Sequence, residues 1–324
     1  MEYTTLGDTG MEVSRICLGC MSFGTGRYEW SLEEDESTEI IDRAIDLGIN
    51  FFDTANLYSY GESERILGNA LDGYDRDRFV VATKAYFQMD DENPNSGGLS
   101  RKAIEQELEN SLGRLGMETV DLYQTHRWDY ETPIEETLRA LTDTVRRGQV
   151  RYLGASSMWT HQFAKSRHVS EREGLERFVT MQNHYNLTYR EEEREMLPYC
   201  ETENVGVIPW SPLAKGYLTR PHDELSATER GKKDSLLRDR PYMKGGGPEI
   251  NQRVEELADD KGVSMAQIAF AWQLHKSWVD APIVGVTSVE QLEEAVESLD
   301  IELSESDMAY LEEPYEPLPV SGHE

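Results

Sequence analysis

The sequence predicts an α/β fold in which eight parallel strands and their connecting helices close into a (β/α)8 barrel, a TIM barrel. Short apolar runs rich in Val, Ile and Phe alternate with longer amphipathic stretches along the chain. Apolar strands that alternate with helices are typical of a parallel sheet covered by helices. Eight such units in 324 residues fit one barrel, so we expect a single domain over residues 1–324.

Eight apolar runs are predicted to be the barrel strands. They are residues 16–21, 50–55, 79–85, 120–126, 150–156, 178–185, 205–210 and 281–286. Helical periodicity is clearest in residues 31–48, where Ile41 and Ile45 share one face and Gly48 ends the pattern. Further helices are predicted within residues 99–116, 132–148 and 191–204.

Two segments lie outside this alternation. Residues 3–15 are predicted to form a hairpin around the turn "GDTG", which could cover the floor of the barrel. Residues 212–247 form a long, polar, glycine-rich loop after the seventh barrel strand. A loop of this length in a compact domain usually has a functional role or is mobile.

The chain is strongly acidic, with 62 Asp and Glu against 32 Lys and Arg and a net charge of −30. The acidic residues recur along the helical stretches, which favours a solvated shell suited to a halophilic, high-salt cytoplasm over an acidic binding surface. Nucleic acid is disfavoured as a partner, because little positive charge is available to neutralise phosphates. The absence of an 18-residue apolar run and of a basic, apolar leader predicts a cytoplasmic protein without a membrane span.

The three cysteines are Cys17, Cys20 and Cys200. Cys17 and Cys20 are three residues apart in a predicted strand, so their side chains should face opposite sides of the sheet. No second pair is present to complete a zinc site. We therefore expect free, buried thiols, as in a reducing compartment.

Polar side chains gather where three consecutive strands end. The second barrel strand ends at Asp53 with Tyr58 just beyond, the third ends at Lys84 and the fourth at His126. Active sites of such barrels lie at the carboxyl ends of the strands. Each residue alone has an ordinary structural explanation, but together they are predicted to converge on one rim.

These four side chains suit acid–base chemistry on a carbonyl group. A free phenol titrates near pH ~10, and a neighbouring ammonium is expected to lower the pKa of Tyr58. Asp53 would keep Lys84 charged, and His126 would donate a hydrogen bond to the carbonyl oxygen. One histidine and one acid are too few for a metal-dependent hydrolase, so no metal is expected and a cofactor must supply the attacking group.

Several motifs resemble those of the aldo-keto reductase family over nearly the whole chain. They are "FFDTANLYSYGESERILGNAL", "VVATK" and "VDLYQTH". The segments "HRWDYETPIEETLRAL" and "YREEEREMLPYC" resemble its aryl-alcohol dehydrogenase-like and versiconal hemiacetal acetate reductase-like branch. The resemblance implies Tyr58 as the general acid, Lys84 and Asp53 as the residues that tune it, and His126 as the residue that orients the carbonyl. It also implies hydride transfer from C4 of a nicotinamide, in an NAD(P)H-dependent oxidoreductase of aldehydes and ketones.

The resemblance also implies a binding site for the dinucleotide. Ser156, Ser157 and Gln182 would hold the carboxamide, and Trp210 would stack on the nicotinamide ring. The residues expected along the pyrophosphate are Ser211, Leu213 and Gly216.

The segment that corresponds to the 2′-phosphate site departs from the family pattern. Gly285, Thr287 and Gln291 align with it, and no Lys or Arg stands among them. Neutral donors hold a phosphate less strongly than charged ones, so NADP is the first choice on family grounds and NAD stays possible. Glu294 could bond the adenine, and Lys215 or Arg220 could compensate for the missing charge.

Aromatic residues on the same rim are candidates for the substrate pocket. They are Trp30, Tyr86, Phe87, Trp128 and Trp159, with Met21 at the end of the first barrel strand. Such a wall suits an apolar or aryl aldehyde, although some of these rings could simply pack at the barrel edge. An alternative to the enzyme is a cofactor-sensing regulatory subunit similar to potassium-channel β subunits. The physiological substrate and the direction of reaction are left open, and a monomer is the default expectation.

Overall fold

The computed structural model of the chain describes residues 1–26, 28–227 and 241–323. Strands β1 (Tyr3–Thr5) and β2 (Glu12–Ser14) form an antiparallel hairpin. The remaining strands are β3 (Cys17–Gly19), β4 (Phe51–Asp53), β5 (Val80–Ala85), β6 (Val120–Thr125), β7 (Val150–Ser156), β8 (Phe178–Gln182), β9 (Gly206–Val207) and β10 (Ile283–Gly285). They form an eight-stranded sheet, parallel at every pairing, in the order β10-β3-β4-β5-β6-β7-β8-β9. The eight predicted strands and the predicted hairpin are confirmed.

Backbone hydrogen bonds between the edge strands bring the ends of this sheet together. The carbonyl of Val207 in β9 accepts from the amide of Asp280 at 3.0 Å, and the carbonyl of Pro209 accepts from Ile283 in β10 at 2.9 Å. The sheet therefore curls round on itself as the predicted (β/α)8 barrel.

Ten α-helices are described. They are α1 (Glu34–Asp46), α2 (Glu62–Leu71), α3 (Arg101–Leu115), α4 (Ile134–Arg146), α5 (Thr160–Glu173), α6 (Met196–Thr202), α7 (Gly247–Lys261), α8 (Met265–Leu274), α9 (Val289–Glu297) and α10 (Glu305–Glu312). The helix predicted within residues 191–204 is divided into a 3-10 turn, Glu191–Arg194, and α6, because Glu195 leaves the helical region with φ of −142°. Pro198 lies in the first turn of α6, where its missing N–H costs no helical hydrogen bond. None of the described helices has the length and apolar character needed to cross a membrane.

The hairpin covers the floor of the barrel. Leu6 and Val13 join a buried cluster inside the barrel that includes Phe51, Leu122 and Ile208. Gly7 permits this close approach, because its φ is +56° and a side chain there would collide with the backbone of Gly206. The expected covering of the floor is confirmed.

A second, larger cluster fills the space between the sheet and the helices. Cys20 belongs to this outer cluster, whereas Cys17 belongs to the cluster inside the barrel. The two thiols therefore face opposite sides of β3, as the strand periodicity predicts. All three cysteines are buried and free.

The connection after β9 contains short 3-10 turns in its described parts. These turns are Ala214–Thr219, His222–Ala227 and Pro241–Met243. Between β9 and α7 the described residues hold no α-helix or strand, in agreement with the predicted long loop. Residues 228–240 of that loop lie outside the described residues.

Candidate active site

A buried ion pair occupies the carboxyl ends of β4 and β5. Lys84 Nζ lies 2.5 Å from Asp53 Oδ1, and the two side chains are 0% and 1% exposed. Asp53 lies beside Ala82 in the strand register, so Lys84 stands two residues further towards the rim and on the same side. The ammonium also donates to the carbonyl of Thr54 at 2.8 Å and to the Tyr58 hydroxyl at 3.2 Å. Its three protons therefore have three acceptors.

The second carboxylate oxygen of Asp53 accepts from two amides. Gln124 Nε2 and Gln182 Nε2 each lie 2.9 Å from Asp53 Oδ2, and Gln182 also donates to Gln124 Oε1 at 3.1 Å. A buried charge of this kind is tolerated only when its hydrogen bonds are satisfied. Gln124 is not among the residues predicted for the site, although it lies two residues before His126 on β6 and so shares its face.

Tyr58 is presented by a tight turn just beyond β4. Ser59 and Tyr60 adopt left-handed backbone conformations with φ of 47° and 55°. This strain is held in place by the hydroxyl of Ser59, which donates to the carbonyl of Gly24 at 2.6 Å. The Tyr58 ring meets the His126 ring edge to face, with centroids 5.9 Å apart. Asp53, Tyr58, Lys84 and His126 are thus brought together on one rim.

The pKa of Tyr58 is raised above its ordinary value. Burial of the phenol is the largest cause and outweighs the lowering effect of Lys84. The predicted lowering effect of Lys84 is therefore present, but burial exceeds it and the net shift of the Tyr58 pKa is upward. Burial also opposes the charge on Lys84, but Asp53 and Tyr58 raise the pKa of the ammonium overall. Tyr58 and Lys84 thus both hold their protons at neutral pH.

The residues predicted for the carboxamide and the nicotinamide ring lie together at the ends of β7, β8 and β9. The amide of Ser157 donates to the carbonyl of Gln182 at 3.1 Å, and the hydroxyls of Ser156 and Ser157 are 3.3 Å apart. Trp210 Nε1 donates to the Ser157 hydroxyl at 3.0 Å. Gln182 itself turns towards Asp53, as described above.

The residues predicted along the pyrophosphate follow Trp210 in a compact turn. Ser211 has φ of 58°, and its carbonyl accepts from Asn186 Nδ2 at 2.9 Å. The amide of Gly216 donates to the carbonyl of Leu213 at 2.9 Å. Gly216 itself has φ of 93°, a conformation that favours glycine.

The residues predicted near the 2′-phosphate and the adenine lie apart from this turn, along β10 and the start of α9. Gln291 Oε1 accepts from the amide of Thr287 at 2.9 Å and from its hydroxyl at 3.3 Å. Gly285 is exposed at the end of β10, and Glu294 lies one turn further along α9. Arg43 of α1 pairs with Glu293 of this helix at 2.6 Å.

The six residues predicted for the substrate pocket do not all lie beside the catalytic candidates. Phe87 lies beside the catalytic candidates, with its ring 4.9 Å from that of His126, and Tyr86 contacts Phe87 at 5.2 Å. Trp128 and Tyr86 also pack against the outer core cluster, as the barrel-edge alternative describes.

The other three pocket candidates lie further along the rim. Trp30 is half-buried and stacks on Tyr28 at 4.8 Å, and Met21, also half-buried, directly follows Cys20. Trp159 is 39% exposed and meets His323 edge to face at 4.8 Å. His323 is 131 residues from its hydrogen-bond partner Glu192, so its position near the rim has no local signal in the sequence.

Two further features lie away from this chemistry. A recess of about 970 Å³ opens between α2 and α3 outside the barrel. The arginines that line it, Arg65, Arg76, Arg114 and Arg151, are all ion-paired with carboxylates. Within the described part of the chain, no group of three or more His, Cys, Asp or Glu could hold a metal ion.

The sequence is similar to a known protein family and to several of its members over nearly its whole length. The sequence model of the aldo/keto reductase family matches residues 15–316. The versiconal hemiacetal acetate reductase of Aspergillus parasiticus is 45% identical over 341 residues, which cover 98% of this chain and 98% of that protein. A Schizosaccharomyces pombe protein with the provisional name aryl-alcohol dehydrogenase is 44% identical over 345 residues, 99% of this chain and 97% of its own length. An aldo-keto reductase of Alternaria alternata is 41% identical over 346 residues, 99% of this chain and 93% of its own length.

Proposed function

The chain belongs to the aldo/keto reductase family, whose members are NAD(P)H-dependent oxidoreductases of carbonyl compounds, and we propose that Tyr58 is its general acid. The observation that carries this proposal is the hydrogen bond of 3.2 Å between Lys84 Nζ and the Tyr58 hydroxyl, above the buried pair with Asp53. This arrangement suits carbonyl reduction, because it can deliver a proton to an oxygen atom and stabilise the phenolate that results.

The proton transfer follows from the contacts of these side chains. Tyr58 holds its proton at neutral pH, because burial raises its pKa, and can donate it to a carbonyl oxygen that gains negative charge. Lys84 stays protonated and stabilises the phenolate left behind, and Asp53 fixes the ammonium in position. His126, edge to face with Tyr58, orients the carbonyl oxygen. The nicotinamide cofactor, when bound, supplies the hydride.

The side chains at the ends of β7 and β8 fit a carboxamide. Such a group has both a donor and an acceptor, and Ser156, Ser157 and Gln182 offer hydroxyl and amide partners of both kinds. Gln182 Nε2 is bound to Asp53 and Gln124, so Gln182 Oε1 is the atom that would accept from the carboxamide. Trp210 would stack on the nicotinamide ring, and Ser211, Leu213 and Gly216 would lie along the pyrophosphate.

NADPH is our first choice of cofactor, with NADH as an accepted alternative. Family membership favours NADPH, whereas residues 283–297 contain no Lys or Arg and carry four glutamates. Thr287 and Gln291 would contact the 2′-phosphate, Glu294 the adenine, and Lys215 or Arg220 would supply the missing positive charge. Titration with each dinucleotide in high salt compares the two Kd values directly.

We propose apolar or aryl aldehydes and ketones as the substrate class. The ring of Phe87 beside His126 offers an apolar wall next to the reacting carbonyl, and Met21, Trp30, Tyr86, Trp128 and Trp159 would extend it. The named relatives are reductases and dehydrogenases, so no observation favours the regulatory, channel-subunit alternative. The acidic surface suits a high-salt cytoplasm, and a monomer stays our default for the oligomeric state.

The Tyr58→Phe substitution tests the assignment of the general acid. It removes only the hydroxyl, so we expect kcat for NADPH-dependent reduction of an aryl aldehyde to fall about 10²- to 10⁴-fold. The Kd for NADPH should change little. Tyr60→Phe is the matched control, because Tyr60 lies in the same turn but is 62% exposed. A Tyr58→Phe protein with wild-type kcat would refute the proposal.

A further inference from the structure

Three aromatic rings form a continuous stack behind the proposed nicotinamide site. The His184 ring lies on one face of Trp210, with centroids 4.2 Å apart and planes 8° from parallel. On its opposite face, His184 stacks against Tyr189 at 4.1 Å and 14°. His184 and Tyr189 are 1% and 0% exposed, so the stack leads from the outer core cluster, to which Tyr189 belongs, to the half-buried Trp210.

A residue from a distant part of the chain contacts the edge of the His184 ring. His184 Nε2 lies 2.8 Å from the hydroxyl of Tyr242, a fully buried residue 58 positions further along. Tyr242 belongs to the turn Pro241–Met243, where the long connection after β9 returns to the barrel. Its ring also meets the His184 ring edge to face at 5.6 Å.

The edge of Trp210 is fixed independently. Its Nε1 donates to Ser157 at the end of β7, and its backbone amide donates to the carbonyl of Asn183 at 2.9 Å. Asn186 Nδ2 binds the carbonyl of the next residue, Ser211. The indole is therefore held along its edge and over one face, which determines the plane of the ring.

We propose that His184 is a positioning residue for the cofactor: its ring, stacked on Trp210, holds the indole in the plane that the nicotinamide requires. The inference rests on the proposed function, in which Trp210 stacks on the nicotinamide ring. The mechanism is preorganisation, because an indole fixed before binding loses less rotational freedom when the cofactor arrives. His184 itself does not contact the reacting atoms in this account.

Simple core packing is the competing explanation for the stack. In that case His184 and Tyr189 fill space beneath the rim, and loss of the His184 ring lowers stability without changing the cofactor affinity of the folded protein. A positioning role makes a different prediction, because the affinity then depends on the ring at position 184 and not on stability alone.

Three variants separate these explanations. His184→Gln keeps a hydrogen-bonding group but removes the ring, whereas His184→Phe keeps the ring and loses the hydrogen bond to Tyr242. His168→Gln is the matched control, because His168 lies exposed on the outer helix α5. We would titrate each full-length protein with NADPH and with NADH in high salt and follow quenching of tryptophan fluorescence. The Trp210→Phe protein identifies the part of the signal that comes from Trp210.

For His184→Gln we expect the Kd for NADPH to rise about three- to tenfold, the range that corresponds to the loss of one aromatic pair. The KM for the cofactor should rise with it, and the KM for the carbonyl substrate should not. His184→Phe should restore the Kd to within about twofold of wild type. His168→Gln should match wild type in every measurement.

Two results would overturn the inference, and they are distinguishable from a failure of the proposed function. A His184→Gln protein that binds NADPH as tightly as wild type would show that the stack contributes only to core packing. An equal rise in the Kd for NADPH in His184→Gln and His184→Phe would show that cofactor affinity does not depend on an aromatic ring at position 184. A wild-type protein that binds neither dinucleotide would instead contradict the proposed function, and the inference would fall with it.

Discussion

The interior of the barrel has two layers with opposite characters, although the same strands build both. In the lower layer, Phe51 of β4, Ala82 of β5 and Leu122 of β6 belong to one buried apolar cluster. Two residues further along the same strands, Asp53, Lys84 and Gln124 form a buried polar network. Because side chains on one face of a strand recur every second residue, the change from apolar to polar happens in a single step.

This difference separates stability from chemistry. The lower layer buries apolar side chains that need no partners, and the hairpin covers it. The upper layer carries a charge pair whose desolvation is costly and is offset only because its hydrogen bonds are satisfied. Left-handed backbone also concentrates above it, at Ser59, Tyr60, Ser157 and Ser211, as is common at functional sites. The apolar layer thus supports a strained, charged layer, which is the one proposed to act on the substrate.

A substitution in the upper layer should have the largest effect, on both the free energy of unfolding and kcat. Lys84→Met leaves the buried carboxylate of Asp53 without its cation, so we expect the free energy of unfolding to fall by about 3–5 kcal/mol. Tyr58 also loses its ammonium partner, so kcat should fall at least about 10²-fold. Urea denaturation and steady-state kinetics measure the two losses separately.

The double variant Asp53→Asn with Lys84→Met is the control for that experiment. It removes both charges, so part of the lost stability should return while kcat stays low. Recovery of kcat in the double variant would contradict the role of Lys84 beside Tyr58.

A substitution in the lower layer should lower the free energy of unfolding and leave kcat nearly unchanged. Leu122→Ala removes a fully buried side chain two residues below Gln124, and we expect a loss of about 2–5 kcal/mol in the free energy of unfolding. The kcat of the folded protein should stay within about tenfold of wild type, because the hydrogen bonds of Asp53 are untouched. A loss of kcat as large as that of Lys84→Met would show that the two layers are not separable.

The smallest expected effect concerns a carboxylate at the floor of the barrel. Asp280 Oδ2 accepts from the amides of Gly7 and Val207, and burial raises the pKa of Asp280 to about 6. The folded state therefore binds this proton more tightly than the unfolded state, where the ordinary pKa is 3.8. The stabilising contribution of this proton is present below about pH 4 and is lost as the pH rises through about 6.

The Asp280→Asn substitution tests this linkage at the floor. Relative to the variant, the wild type should lose about 1–3 kcal/mol of unfolding free energy between pH 4 and pH 7. Urea denaturation of both proteins across that range measures the difference. A difference that does not change with pH would contradict the titration of Asp280 in this range.

Much of this arrangement is predictable from the sequence, because its signals are local. The eight strands follow from short apolar runs, and Asp53, Lys84 and His126 are recognised by their position at strand ends. The opposite orientations of Cys17 and Cys20 follow from strand periodicity alone.

The remaining features depend on contacts between distant residues or on competing energies. The His184 ring that stacks on Trp210 is contacted by Tyr242, 58 residues further along, and the Trp159 ring is contacted by His323, also distant in the sequence. The net direction of the Tyr58 pKa depends on how deeply the phenol is buried, which motif spacing does not reveal. Gln124 could have been found from its periodicity with His126.

The pH dependence of kcat for carbonyl reduction tests the central claim most directly. Tyr58 is proposed as the proton donor, and burial raises its pKa above that of a free phenol. At saturating NADPH and aldehyde, we therefore expect kcat to stay level from about pH 6 to pH 9 and to fall only above about pH 10. A decline with a midpoint between about pH 6 and pH 8 would identify an imidazole, such as that of His126, as the acid and would contradict the account.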